Sequence, residues 1–282
     1  MLPNLLLDAE RRLRSGWWII LFFVILAGLL LPLLLLARGR GTEVSPVLQL
    51  AVVLAASVIC QALRGEPVPR LLGPLDRRWP QEFLLGGLGG AMMMALPALA
   101  LGLTGVVKWR IDADRAAAIL PELVLLAAAA ATEELLFRGF LFRRLLDGLG
   151  TWPAQSIVAA LFVLTHSDAL RVLGPLGYLA GTNVFLASIL FGLAYLRTRS
   201  LAMPLGLHLA ANVTQGPVLG FGVSGSTGAT LLIPLPSGAP DWLHGGAFGL
   251  EASVPGLVCV VALLLVVRGW RPRQPTSSAG PR

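Results

Sequence analysis

Leu123-Val124-Leu125-Leu126-Ala127-Ala128-Ala129-Ala130-Ala131 runs directly into Thr132-Glu133-Glu134-Leu135-Leu136-Phe137-Arg138-Gly139-Phe140-Leu141. An apolar helix of this kind belongs in a bilayer, where each charged group costs roughly 2.5 to 3.5 kcal/mol on insertion scales. Three such groups within six residues need mutual compensation or a function. Glu134 and Arg138, four apart, share a helix face in the favourable order. Glu133 is turned by about 100° from its neighbour. One carboxylate is therefore tied to arginine while the other is free, an arrangement that separates two acids into different roles.

The rest of the chain supports a membrane setting. Of its 282 residues 56% are hydrophobic and 13% charged, against about 25% charged in soluble domains. We read eight apolar segments, at about 16–37, 45–63, 82–107, 117–142, 153–167, 175–196, 201–220 and 253–268, and hence an all-α polytopic membrane protein. Gly86, Gly87, Gly89, Gly90 and Pro97 interrupt the third and predict close helix packing or a kink. The fifth is short for a straight span and is read as tilted or as continuing past His166 into Ser167 and Asp168.

The organisation expected is a cytoplasmic amphipathic segment over 1–15, one transmembrane domain over 16–268 and a disordered tail over 269–282. The net charge of +7 comes from basic residues that punctuate the segment ends, which excludes a nucleic-acid stripe and orients the chain instead. Fifteen of the 22 basic residues fall on one side and six on the other, placing both termini in the cytoplasm, in a bacterial plasma membrane. Residues 216–253, rich in Gly, Pro and Ser with Asp241 and Glu251 as the only charges, read as an outer loop whose 229–235 patch dips into the interface. Cys60 and Cys259, inside apolar segments, read as small buried hydrophobes.

Two of the three histidines also lie in apolar segments. Phe162 and His166 are one helical turn apart, as are His208 and Asn212. A carboxylate, two imidazoles and an amide are the groups that a general base, a water-positioning partner and an oxyanion stabiliser require. Gly222-Val223-Ser224-Gly225, followed by His244, offers a weaker rhomboid-like serine alternative. A non-catalytic immunity or scaffold protein, using polar helices only for packing, is the other.

Glu133-Glu134-x-x-x-Arg138, Phe162-x-x-x-His166 and His208-x-x-x-Asn212 resemble the three ordered motifs of the CPBP (CAAX-processing and bacteriocin-processing, or Abi) intramembrane proteases, which include the type II CAAX prenyl endopeptidases. The resemblance covers about 117–213. It implies a polar cavity between the motif helices and cleavage of a membrane-associated peptide or protein. Carried over by position, Glu133 activates water, His166 helps to hold it, His208 and Asn212 stabilise the oxyanion, Glu134 and Arg138 support Glu133, and Phe162 packs the site. No cofactor is expected. Were a metal used, zinc or another divalent ion on Glu133, His166 and His208 would be the arrangement. His-Glu-x-x-His is absent.

Overall fold

Backbone amides in a hydrocarbon phase must find partners within their own segment, and the apolar blocks do so as helices. The computed structural model describes Leu6, residues 13–112 and residues 118–271. The expected amphipathic helix over 1–15 falls almost wholly outside the described residues, as does the tail beyond 271. In chain order the elements are α1 (Ser15–Gly39), α2 (Pro46–Leu63), α3 (Arg78–Leu103), β1 (Val107–Ile111), α4 (Ile119–Glu134), α5 (Leu141–Leu149), α6 (Thr151–Thr165), α7 (Ser167–Val172), α8 (Leu176–Thr198), α9 (Ala202–Val213), β2 (Leu232–Pro236), α10 (Asp241–His244) and α11 (Val254–Gly269).

Helices occupy all eight expected apolar segments. Among them α1, α2, α3 and α8 are each long and apolar enough to cross a membrane, and α6 and α11 are shorter apolar helices. The chain is an all-α membrane protein. Two helix starts, those of α2 and α11, are marked by Ser followed closely by Pro. The Ser45 hydroxyl accepts from the Leu48 N–H at the head of α2, and Ser253 accepts from Gly256 at the head of α11, satisfying donors that a helix leaves open.

Two apolar clusters carry the packing. One gathers α1, α2, α5 and α6 around Phe22, Phe140 and Phe142, with the Phe22 and Phe140 rings stacked at 5.4 Å. The other gathers α3, α8, α9 and α11 around Met93, Phe191 and Leu207. The second depends on the glycines of α3. A Cβ on Gly86 or Gly90 would run into the backbone carbonyls of Met203 or Leu207, and one on Gly206 into that of Phe83. Backbones this close gain dispersion contact that larger residues would prevent, so the glycine run is a packing face.

Two features differ from the sequence expectation. Residues 232–236, within the expected outer loop, are not irregular chain. Instead β2 pairs antiparallel with β1, Val107 opposite Pro236 through Ile111 opposite Leu232. Pro234 and Pro236 lack an N–H, which suits a strand confined to a two-stranded ribbon. The indole of Trp109 donates to the Leu219 carbonyl at 2.9 Å, anchoring the ribbon over the end of α9. The second difference concerns the fifth segment. It does not run on through His166: α6 stops at Thr165 and α7 starts at Ser167, with His166 at the joint (φ −100°, ψ 3°).

Gly90→Ala should lower the thermal unfolding midpoint in detergent by the equivalent of about 1 to 3 kcal/mol, the usual cost of overpacking. Gly28→Ala, in α1 where an added methyl meets nothing, should leave the midpoint unchanged or slightly raised.

Candidate active site

α4 carries the first motif to its own end. Beyond Glu134 the backbone widens into a π-helical turn, Leu135–Phe140, with Gly139 at φ −76°, ψ −111°, before α5 resumes. The sequence expectation was one apolar segment over about 117–142. The inserted turn changes which way the following side chains face, a device frequent at functional sites.

Inside this turn Arg138 is fully buried. Its Nη1 donates to Glu134 Oε1 at 3.1 Å, and Nη2 donates to the Ser188 carbonyl at 2.9 Å and its hydroxyl at 2.6 Å on α8. The guanidinium lies 5.1 Å from the Phe162 ring centroid and 5.4 Å from that of Phe191, so aromatic faces replace the water it has lost. A buried charge persists only with partners of this kind.

Glu134 Oε1 also receives His208 Nδ1 at 2.9 Å. The His208 ring stacks on Phe191 at 5.0 Å and 17°. With Nδ1 held by Glu134, Nε2 is the edge presented to Glu133, 3.7 Å from its Oε2. Glu133 keeps 31% side-chain exposure while Glu134 keeps 1%. The two adjacent acids thus occupy opposite environments on either side of one imidazole.

His166 Nδ1 donates to the Phe162 carbonyl at 2.8 Å and its ring packs on Phe162 at 4.9 Å. A carbonyl can only accept, so Nδ1 carries the proton and Nε2 is left as the acceptor of the neutral ring. Asn212, buried one turn after His208, precedes a second π-helical turn, Thr214–Val218.

Glu133, Phe162, His166, His208 and Asn212 all line one cavity of about 340 Å³, while Glu134 and Arg138 lie behind its wall. Among the described residues, no three His, Cys, Asp or Glu side chains converge as a metal-binding group, and Glu133, His166 and His208 are not drawn into one. The serine alternative lacks its dyad. The Ser224 hydroxyl donates to Glu251 at 2.9 Å, whereas His244 Nε2 meets the Ala239 carbonyl and its Nδ1 accepts from Gly246. Cys60 and Cys259 are free thiols.

Sequence reasoning missed three residues around the cavity. Ser188 is behind it, holding Arg138. Asn183 and Glu251 line it. Burial pushes the Glu251 carboxyl above the ordinary carboxylate range, against the opposing pull of His166 and the Ser224 hydrogen bond. The signal that could have found Glu251 was its rarity, as one of two charges in a loop of 38 residues over 216–253.

Residues 115–214 match the family model of the type II CAAX prenyl endopeptidases, Rce1-like. The matched stretch holds all three motifs and stops before Ser224 and Glu251. No curated protein matches the chain significantly.

Arg138→Met should destabilise the fold by about 3 to 5 kcal/mol, because the Glu134 carboxylate then stays buried without its cation. The double change Glu134→Gln with Arg138→Met should recover part of that loss, as read by chemical unfolding in detergent.

Proposed function

We propose that this chain is an intramembrane endopeptidase that hydrolyses a peptide bond with a water activated by Glu133. The observation that carries the reading is the meeting of Glu133, His166, His208 and Asn212 around one cavity in the family-matched segment. Each group has chemistry suited to one step. Glu133 is the exposed member of its pair and has room for a water. It takes the proton as the water oxygen attacks the scissile carbonyl carbon. His166, anchored through Nδ1, offers Nε2 as the acceptor that orients the same water.

The attack converts the carbonyl oxygen to an oxyanion. Asn212 and the Nε2 edge of His208 face the cavity to receive it, each such donor contributing about 2.7 to 4 kcal/mol. His208 can donate from Nε2 when it is an imidazolium, with Nδ1 held by Glu134. Collapse of the tetrahedral intermediate breaks the C–N bond, and the proton held by Glu133 passes to the leaving amine. Glu134 and Arg138 serve this scheme from behind by fixing the His208 ring, and Phe162 by packing between the two histidines.

The scheme runs without a metal. The reasons are the absence of His-Glu-x-x-His and, among the described residues, side chains that do not converge as a ligand set. The substrate is a peptide or protein associated with the bilayer. The charge bias of the segment ends favours cytoplasmic termini, and a bacterial plasma membrane is the setting we favour.

In micelles or liposomes with a quenched fluorescent peptide library, Glu133→Gln should lower kcat by about 10²- to 10⁴-fold. Asn212→Ala should lower kcat by about 10²- to 10³-fold with KM little changed. Unchanged cleavage by Glu133→Gln would remove the carboxylate from the chemistry. A phenanthroline chelator should leave the rate intact, whereas zinc activation through Glu133, His166 and His208 would make cleavage chelator-sensitive.

A further inference from the structure

The segment between β2 and α11, outside the motif helices, delivers one more carboxylate, Glu251, to the cavity. Glu251 Oε2 accepts both the backbone N–H of Ser224 at 3.0 Å and its hydroxyl at 2.9 Å. Ser224 and Gly225, at φ 48° and 87°, form the two-residue turn between the bridged Val223 and Ser226, a left-handed pair that tight hairpin turns require, and this turn presents both Ser224 donors to the one oxygen. The loop is clamped on the other side as well. Gly249, at φ 98°, lies so close to the Gly222 carbonyl that a Cβ would collide with it. The Glu251 carbonyl accepts from Asn183 Nδ2 at 2.7 Å.

Asn183 supplies a second, independent sign of a ligand. It is 2% exposed and lines the same cavity, yet its Oδ1 has no hydrogen-bond partner among the described residues. A buried amide oxygen without a partner is destabilising, so a donor supplied from outside would be stabilising. The charges of the cavity wall agree. Its ionisable lining residues are Glu122, Glu133, Glu251, His166 and His208, with no described lysine or arginine. Glu122 and Glu133 lie eleven residues apart on α4, three turns along nearly the same face and about 16 Å of helix, so negative charge extends along the cavity. The buried Arg138 lies outside the cavity lining and is already committed to Glu134 and Ser188.

We propose that the cavity takes substrates that carry a cationic group, an ammonium or guanidinium, received by Glu251 and the Asn183 amide oxygen beside Glu133. The proposal deepens the proteolytic reading and rests on it for calling the ligand a substrate. The Asn183 oxygen can only accept, as can the Glu251 carboxyl once ionised, and a cation beside it favours that ionised form against the burial that opposes it. The favoured class is an apolar segment flanked by a basic residue, the form in which membrane proteins commonly end their spans.

The test is binding of short apolar peptides, acetylated and amidated, to the Glu133→Gln protein in micelles by fluorescence anisotropy. The peptides carry lysine, norleucine or glutamate at one position, and a fourth pairs norleucine with a free amino terminus. The lysine peptide should bind about tenfold tighter than the norleucine peptide, the size of one charge-assisted hydrogen bond, and the glutamate peptide weaker than both. A gain confined to the fourth peptide supports the proposal and assigns the cation to a chain terminus. Adding Glu251→Gln should bring the cationic and norleucine peptides to within about threefold. If that variant does not fold, Ser224→Ala in the same background carries the test and should reduce the preference. Equal binding of all four peptides, or a cationic preference that survives loss of Glu251 or of the Ser224 hydroxyl, would overturn the proposal. Cleavage of the same peptides by the unaltered chain is read separately: selective binding without cleavage keeps the subsite and removes the protease, and cleavage without charge preference does the reverse.

Discussion

The buried Arg138 is the constraint around which the protein is arranged. A guanidinium excluded from water in an apolar bundle demands a carboxylate, further acceptors and polarisable faces. Glu134 supplies the first, Ser188 the second, and Phe162 and Phe191 the third. Those partners come from α4, α6 and α8, so one charge ties three helices together. Its consequences continue outward. Glu134, once ionised beside Arg138, accepts from His208 on α9 and sets that ring with Nε2 toward Glu133. A single line of contacts runs from Ser188 through Arg138, Glu134 and His208 to the exposed carboxylate.

Geometry near this line is set by departures from regular helix. α4 passes into a π-helical turn immediately after Glu134 and α9 into another one residue beyond Asn212, and α6 breaks at His166. Each irregularity falls at a motif. The exact fit of α3 against α9, made by Gly86, Gly90 and Gly206, supplies the rigid wall against which such local departures are tolerated. The glycines and the π turns thus belong to the same problem: polar groups must be held at fixed separations inside a bundle that has little else to hold them.

Much of this was legible in order along the chain. The spacing of Glu134 and Arg138 announces their ion pair, because residues four apart on a helix are neighbours. Phe162 with His166, and His208 with Asn212, are visible for the same reason, and the apolar blocks announce their helices by length and composition. Ser188, Asn183 and Glu251 were not legible. Ser188 is one small polar residue in an apolar helix, and its value to Arg138 comes from lying opposite it across the bundle. Glu251 belongs to a Gly- and Pro-rich stretch with no periodicity, brought to the cavity by Ser224 and Gly249. The pairing of β1 with β2 was hidden by the distance in sequence between Val107 and Pro236 and by the prolines of the second strand.

What the sequence determined by itself was the set of local facts: which segments are helical, which side chains share a helix face, and that charge inside an apolar block must be compensated. Such facts follow from interactions within a few residues, which chain connectivity alone specifies. Tertiary structure decided which charges meet. It placed His208 between two glutamates, widened α4 and α9 at their ends, and carried Glu251 from a loop into the cavity wall. Those outcomes depend on contacts between elements far apart in the chain, where packing and the cost of burying charge choose the partners.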